Sequence, residues 1–196
     1  MGLADEPGSW PVVSSTYLHR DAWVVALRKD TIHAPADPDT TFGRLVVEHP
    51  GAAFALAIDE GDRVCLLRQY RHPAGGTFVE IPAGICDVEG EDPLETARRE
   101  LQEEAELAAE EWTHLVSTYP SAGLTSERHH FYLARGLRPA PRPDAFEVAH
   151  EEAHMEVFWA PFEDLVDAVL DGRVQEGPMA IALLAYQALR IRSLRG

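Results

Sequence analysis

Three glutamates fall within one helical turn near the middle of the chain, and their spacing decides which chemistry the sequence can support. Glu100, Glu103 and Glu104 hold relative positions 0, 3 and 4, so a helix would present all three carboxylates on one side. Like charges there repel by roughly 0.2–0.5 kcal/mol per pair. A divalent cation would turn that repulsion into a site for phosphates. An acidic run is also typical of a solvated helix face, so the surrounding residues decide between the two interpretations.

The helix that carries these acids has clear start signals. Asp92 is a good N-cap, Pro93 suits the first turn, and Glu95 completes a capping box. Glu91 and Arg99 flank the start of the helix, and we expect them to pair. Apolar residues recur at helical spacing and form a narrow stripe beside the acids: Leu94, Ala97, Leu101, Ala105 and Ala108.

The order of residues from Gly84 onwards resembles the Nudix box, G-x5-E-x7-R-E-U-x-E-E-x-G-U, in which U is aliphatic. The matching positions are Glu91, Arg99, Glu100, Leu101, Glu103, Glu104 and Leu107. One extra residue separates Gly84 from Glu91, and an added loop residue costs little. Glu106 stands where the box has its last glycine, which removes an easy left-handed helix cap. Neither departure touches a presumed ligand.

The resemblance implies a fold, a cofactor and a type of reaction. Strands and three helices alternate irregularly along the chain, which predicts a mixed sheet flanked by helices. This matches the α/β/α sandwich of the Nudix family, an α+β fold. The resemblance implies Mg²⁺, with Mn²⁺ as an alternative, held by the Ala83 carbonyl and by Glu100, Glu103 and Glu104. Such a cation would assist the attack of water on a diphosphate.

Beyond the box, the chain is similar to the ADP-ribose pyrophosphatase branch of this family. The similarity rests on residues 48–52, 68–73, 80–84, 119–127 and 150–155. It departs at Ala122, where the branch usually has proline.

The branch resemblance implies five substrate-binding residues. Arg71 would bind the pyrophosphate with its planar fork of donors, and Arg44 is a weaker candidate of the same kind. Glu80 would accept a hydrogen bond from the adenine amino group. Ser121 and Glu127 would approach the terminal ribose. For each of these residues, an ordinary surface or turn role is an alternative.

The acidic segment before the last strand is the predicted source of the base that activates water. By resemblance we favour Glu152 in this role, with Glu151 as the alternative and Glu103 assisting from the helix. Composition alone predicts a solvated loop here. A loop position suits such a group if closure over the substrate completes the site.

Charge and composition restrict the partners. The net charge is −16, which argues against nucleic acid or an anionic membrane surface, because both attract basic proteins. The chain has 45% hydrophobic residues, enough for a core, and no apolar run approaches the roughly 20 residues of a membrane span. The chain has only two cysteines and lacks a secretory signal, which predicts a cytoplasmic protein without a disulfide framework. The histidines are not spaced as metal ligands, so no histidine metal site is expected.

We expect two parts in the chain. Residues 1–50 form a small N-terminal antiparallel β segment, with strands at 23–27 and 42–47 and a turn or loop at 34–39. Because so few strands make a poor core, this segment is predicted to pack on another surface and to form a homodimer. Residues 51–196 form the hydrolase domain. Its predicted strands are 52–58, 64–70, 78–81, 114–118, 130–134 and 155–159. Residues 138–144 are a proline-rich loop, and 162–170 and 179–194 are helices.

The predicted function is metal-dependent hydrolysis of ADP-ribose, a small nucleoside diphosphate substrate, to AMP and ribose 5-phosphate. Other nucleoside diphosphate sugars are the alternative substrates, because the box recognises only the diphosphate. A non-catalytic module that senses ADP-ribose is the alternative of another class. That alternative predicts lost box glutamates and an attached effector domain.

Overall fold

The structure is a computed structural model that describes residues 2–143 and 155–195, apart from the side chain of Pro38. The chain forms two compact units: residues 1–50 with 119–127, and residues 51–118 with 128–196. Within the described part of the chain, no helix is both long and apolar enough to cross a membrane.

The first unit is built on a three-stranded antiparallel sheet. Its strands, in the order β1-β2-β3, are β1 (Val12–His19), β2 (Ala26–Ala34) and β3 (Asp37–Glu48). The predicted strand at 23–27 overlaps only the beginning of β2, and β1 was not predicted. Every residue of β1 is exposed, so this strand has no buried face and no alternation to reveal it.

The second unit contains two sheets. The first has the order β7-β4-β9-β8 and is mixed, because β4 and β9 are parallel and the other neighbours antiparallel. The second is antiparallel, in the order β10-β5-β6. The strands are β4 (Ala52–Ala57), β5 (Arg63–Arg71), β6 (Gly76–Glu80), β7 (Ala83–Ile85), β8 (Leu107–Thr118), β9 (His129–Pro139) and β10 (Glu156–Pro161), with a 3-10 turn at His72–Ala74.

Three helices cover the two faces of the mixed sheet. They are α1 (Pro93–Ala105), α2 (Phe162–Leu170) and α3 (Gly177–Ser193). One face buries Phe54 and Leu56 against α2 and α3, and the other buries Ala53 and Ala55 against α1. Strand β4 therefore alternates between two cores, and its alanine face allows close approach of α1. This arrangement confirms the predicted α/β/α sandwich with a mixed sheet.

Several boundaries differ from those expected. Strands β8 and β9 are longer than predicted, and β9 continues to Pro139 inside the segment expected to be a loop. The short strand β7 lies within the stretch interpreted as a glycine loop. Helix α2 has the predicted bounds.

Candidate active site

The acidic helix begins as its sequence indicates. The Asp92 side chain accepts a hydrogen bond of 2.9 Å from the Leu94 N–H, and Pro93 is the first helical residue. The Glu95 carboxylate pairs with Arg98 at 3.0 Å. The Asp92 half of the expected capping box is therefore present, whereas Glu95 forms an ion pair on the helix surface instead of completing the box.

Arg99 lies at the centre of the acidic face. Its Nη2 is 3.5 Å from Glu91, which confirms the expected pair, and Glu91 also accepts from the Thr96 hydroxyl at 2.7 Å. Its Nη1 is 2.8 Å from Glu100 and 3.4 Å from Glu103. One guanidinium therefore offsets the repulsion among three carboxylates that are each no more than one-fifth exposed.

Strand β7, which contains Gly84 and is called the glycine strand below, meets helix α1 at two points. A Cβ on Gly84 would overlap the Glu100 carboxylate, so only glycine leaves room for that side chain. The Ala83 N–H donates to the Glu104 carboxylate at 2.9 Å, and Glu104 is only 6% exposed. Burial raises the pKa of the neighbouring Cys65 thiol to about 12, and the charge of Glu104 adds to this effect. Glu104 thus lies in a largely dry environment, and Cys65 stays a neutral thiol.

The donor set fits a hard divalent cation in chemical type and charge. Glu100, Glu103 and Glu104 supply carboxylate oxygens, which Mg²⁺ and Mn²⁺ prefer over nitrogen or sulfur. The side chains of Glu100 and Glu103 contact Arg99, and that of Glu104 accepts from the Ala83 N–H. Among the described residues, no group of three or more His, Cys, Asp and Glu side chains is arranged around one metal position. The face therefore carries excess negative charge on oxygen donors, which a divalent cation would neutralise.

Arg71 and Glu80 form a two-point ion pair at the ends of strands β5 and β6. Arg71 Nε donates to both Glu80 oxygens at 2.9 and 3.1 Å, and its Nη2 donates at 2.5 Å. The Glu80 side chain is 8% exposed, whereas that of Arg71 is 48% exposed. Glu80 thus fixes one edge of the guanidinium, and the cation remains accessible to an anion.

Sequence reasoning missed Glu176, whose carboxylate lies within electrostatic reach of Arg71 and Glu80. Its carboxylate caps α3 by accepting from the Met179 N–H at 2.6 Å. Burial raises its pKa to about 7 and the charge of Glu80 adds to this, while the Met179 N–H, Arg71 and His129 oppose the rise. The Gly177-Pro178 pair that follows predicts a helix start, but nothing in the sequence indicates the neighbouring charges.

The first unit has a pocket of its own, with a volume of about 330 Å³. It is lined by Arg44, Leu45, Val46 and residues 122–126. Arg44 stacks over the Phe42 ring at 4.4 Å and donates to the Gly43 carbonyl at 3.0 Å. The structure thus brings Arg44 together with the loop that contains Ala122.

The other two residues predicted on this loop have structural contacts. The Ser121 carbonyl accepts from the N–H groups of Leu124 and Thr125 at 2.9 and 3.0 Å, which shapes the turn. The Glu127 carboxylate is 3.6 Å from His49 Nδ1. Glu151 and Glu152, the predicted water-activating residues, lie outside the described residues.

An acidic helix packed against a glycine strand, on one face of an α/β/α sandwich, defines a Nudix-type hydrolase. A family model for the NUDIX domain matches residues 48–181. The chain therefore belongs to the NUDIX domain family.

The chain is similar in sequence to two pyrophosphatases and in fold to a hydrolase of known structure. The chain is 40% identical over 177 residues to an ADP-ribose pyrophosphatase of Mycobacterium tuberculosis, covering 90% of this chain and 83% of that protein. It is 32% identical over 142 residues to a GDP-mannose pyrophosphatase of Yersinia pestis, covering 69% of each chain. A crystal structure of an ADP compounds hydrolase superposes with a TM-score of 0.76 at 18% identity, covering 98% of this chain and all of the other. This last likeness concerns the fold alone.

Proposed function

We propose that this protein hydrolyses ADP-ribose to AMP and ribose 5-phosphate with the help of a divalent cation, Mg²⁺ in the first instance. The observation that carries the proposal is the junction of the glycine strand with the acidic helix, where Glu104 is buried on the Ala83 N–H. Membership of the NUDIX domain family supports the reaction type. The 40% identity to an ADP-ribose pyrophosphatase across nine-tenths of the chain supports the substrate.

The cation-binding residues in this proposal are Glu100, Glu103, Glu104 and the Ala83 carbonyl. When bound, the cation would supply positive charge to the phosphate oxygens as the reaction proceeds. Gly84 leaves the room that Glu100 needs, and the Ala83 N–H orients Glu104. Arg99 restrains Glu100 and Glu103 from the other side. The chain thus holds its donors in place before the substrate arrives.

Arg71 is the proposed phosphate-binding arginine. Because Glu80 accepts from two of its nitrogens, little rotational freedom is left for the guanidinium to lose on binding. Its exposed side would donate to the oxygens of the diphosphate. Glu80 is also the predicted acceptor for the adenine amino group. That role stays a prediction, and its contacts with Arg71 favour a second one, the orientation of the arginine.

Glu152 is the proposed group that takes the proton from the attacking water, with Glu151 as the alternative and Glu103 assisting. For Glu152 and Glu151 the proposal rests on their place in the acidic segment before β10. Replacing Glu152 or Glu151 by glutamine separates these two, because only loss of the true base lowers kcat while cation binding is unchanged.

Arg44, Ser121 and Glu127 remain proposed substrate-binding residues of the first unit. The pocket that joins Arg44 to residues 122–126 supports a common role for this arginine and this loop. Its guanidinium is a candidate for binding an anionic part of the substrate.

Other nucleoside diphosphate sugars are the second candidate substrates. The GDP-mannose pyrophosphatase among the relatives favours this alternative, as does Ala122 in the pocket lining where a proline is usual. The deciding experiment incubates the protein with Mg²⁺ and ADP-ribose, GDP-mannose or ADP-glucose and identifies the products. We expect the highest kcat/KM with ADP-ribose, yielding AMP and ribose 5-phosphate. Faster release of GMP from GDP-mannose would contradict the proposal.

A sensing module without activity is disfavoured because the acids of the box are all present. Such a module would bind ADP-ribose but release no AMP in the same assay.

The remaining proposals concern assembly and location. Exposed apolar residues on β1, among them Val12, Val13 and Leu18, support a homodimer formed through the first unit. A cytoplasmic location is proposed from the two free cysteines, Cys65 and Cys86. The charge of −16 supports a small-molecule substrate rather than nucleic acid or a membrane as partner.

A further inference from the structure

The C-terminal end of α1 combines three unfavourable features. Glu106 ends the helix in the left-handed conformation, with φ 55° and ψ 37°, which is disfavoured for a residue with a side chain. The last turn has no basic residue. It carries Glu103 and Glu104, whose charges oppose the negative end of the helix dipole. These same two residues belong to the acidic face of the proposed site.

One distant arginine compensates for all three features. Arg142 Nε donates to the Glu103 carbonyl at 2.6 Å, and its Nη2 donates to the Glu104 carbonyl at 3.3 Å. Its Nη1 is 3.1 Å from the Glu106 carboxylate. The last carbonyls of a helix lack partners within the helix, so this guanidinium caps two of them and supplies the missing positive charge.

The chain segment that carries Arg142 is itself bound to the helix end. The Ala140 N–H donates to the Glu106 carbonyl at 2.9 Å, and Ala140 is buried. Gln102 Nε2 donates to the Pro141 carbonyl at 2.7 Å. Arg142 therefore extends from a fixed backbone, and its three contacts require little further ordering of the side chain.

We propose that Arg142 is a positioning residue for the cation-binding end of α1. Helix ends fray first, and Glu104 is the last residue but one of this helix. When Arg142 holds the two carbonyls, the backbone beneath Glu103 and Glu104 stays helical, and the Glu104 carboxylate stays on the Ala83 N–H. Arg142 acts through the backbone and is not itself a ligand. The effect of Arg142 on turnover rests on the proposed function, whereas its effect on the end of α1 does not.

The test compares Arg142→Ala with Arg138→Ala, a matched change at an exposed arginine of β9. Amide hydrogen exchange is measured on the metal-free proteins, and Mn²⁺ binding is followed by titration. We expect Arg142→Ala to lose protection against exchange mainly in residues 103–106. It should also bind Mn²⁺ at least roughly tenfold more weakly, because loss of a group that orients metal ligands typically costs about 10- to 100-fold in affinity. Arg138→Ala should match the unaltered protein in both measurements.

Two further variants separate positioning from general stability. Arg142→Lys keeps a cation but not the fork of donors, so its protection and Mn²⁺ affinity should be intermediate. Adding Glu106→Gly to Arg142→Ala allows the left-handed conformation without an energetic cost and removes one acid from the helix end. Protection and Mn²⁺ affinity should therefore partly recover. No recovery in this double variant would overturn the proposal.

The single variant gives the other decisive results. Unchanged exchange in residues 103–106 after Arg142→Ala would overturn the proposal, as would a uniform loss of protection with unchanged Mn²⁺ affinity. These measurements do not involve ADP-ribose. An unaltered protein that fails to hydrolyse ADP-ribose would therefore refute the proposed function without deciding the role of Arg142.

Discussion

Glu104 and Ala83 are joined by a hydrogen bond of 2.9 Å, in which the backbone N–H of Ala83 donates to a carboxylate that is 6% exposed. The bond connects the glycine strand to the acidic helix across 21 residues of sequence. A charged acceptor strengthens such a bond and fixes the direction of the carboxylate. The proposed cation-binding group is thus oriented by the backbone of the strand it faces.

Gly84→Ala should disrupt the acidic face without unfolding the protein. The new methyl group would overlap the Glu100 carboxylate, which is the flexible end of a side chain and would be displaced. We expect Mn²⁺ affinity to fall roughly 10- to 100-fold, as for other changes around metal ligands. Gly177→Ala is the control, because the added methyl group would have no described atom within 4 Å apart from its chain neighbours and the backbone of its own helix. Equal Mn²⁺ binding by both variants would show that the contact with Gly84 is unimportant.

Arg71→Lys should weaken catalysis although the charge is kept. A lysine would be a point charge and would lose the two-point pairing with Glu80. Loss of a charged hydrogen bond costs about 1.5–3 kcal/mol, which predicts a fall in kcat/KM of roughly 10- to 150-fold. Arg68→Lys on the same strand, an exposed arginine 3.4 Å from Glu156, should stay close to the unaltered enzyme. A similar kcat/KM for both variants would exclude a role for Arg71 in phosphate binding.

Glu176→Gln should change how stability depends on pH. Burial raises the pKa of this carboxyl from 4.5 to about 7, so the folded protein binds the proton more tightly than the unfolded chain. Stability from this group therefore falls as pH rises from about 4.5 to about 7, by at most about 3 kcal/mol. Glutamine can still cap the Met179 N–H and does not ionise. The stability gained by the variant should be small near pH 5 and should grow as the pH rises to 8.

Urea denaturation between pH 5 and pH 8.5 measures this difference, and other titrating groups cancel in the comparison. Glu163→Gln, at an exposed glutamate in the first turn of α2, is the control and should change stability little, because exposed ion pairs contribute little. A pH-independent difference for Glu176→Gln would refute the assigned environment.

Sedimentation at micromolar concentration tests the proposed homodimer. Burial of the exposed apolar residues on β1 is the expected driving force, so Leu18→Lys should shift the protein towards monomer. Leu170→Lys changes an exposed leucine of α2 and should leave the dimer intact. A monomeric unaltered protein would contradict the proposal.

Local signals in the sequence predicted much of the second unit. The strand at β4 and the helix α2 have strong patterns, and Asp92 and Pro93 define the start of α1. The pair between Glu91 and Arg99 followed from their spacing across that start. These features depend on residues close together in the chain, which is why a single sequence reveals them.

Features that depend on distant residues were not predictable. Strand β1 has no buried face, so it carries no pattern of alternation. Glu176 looks like a simple helix cap until the fold places Glu80 and Arg71 beside it. The left-handed Glu106 could be anticipated as a cost of the missing glycine, but its compensation by Arg142 could not.

The most direct test of the central claim is the turnover of ADP-ribose with Mg²⁺ by Glu104→Gln and Glu95→Gln proteins. Glutamine at 104 can still accept from the Ala83 N–H and removes a charge from a repulsive face, so stability should not fall. Glu95 is an exposed acid on the same helix that pairs only with Arg98 in the described structure. We predict a loss of more than about 100-fold in kcat for Glu104→Gln, beyond the range of outer-shell changes, and near-normal turnover for Glu95→Gln. Retained activity in a folded Glu104→Gln protein would contradict the account.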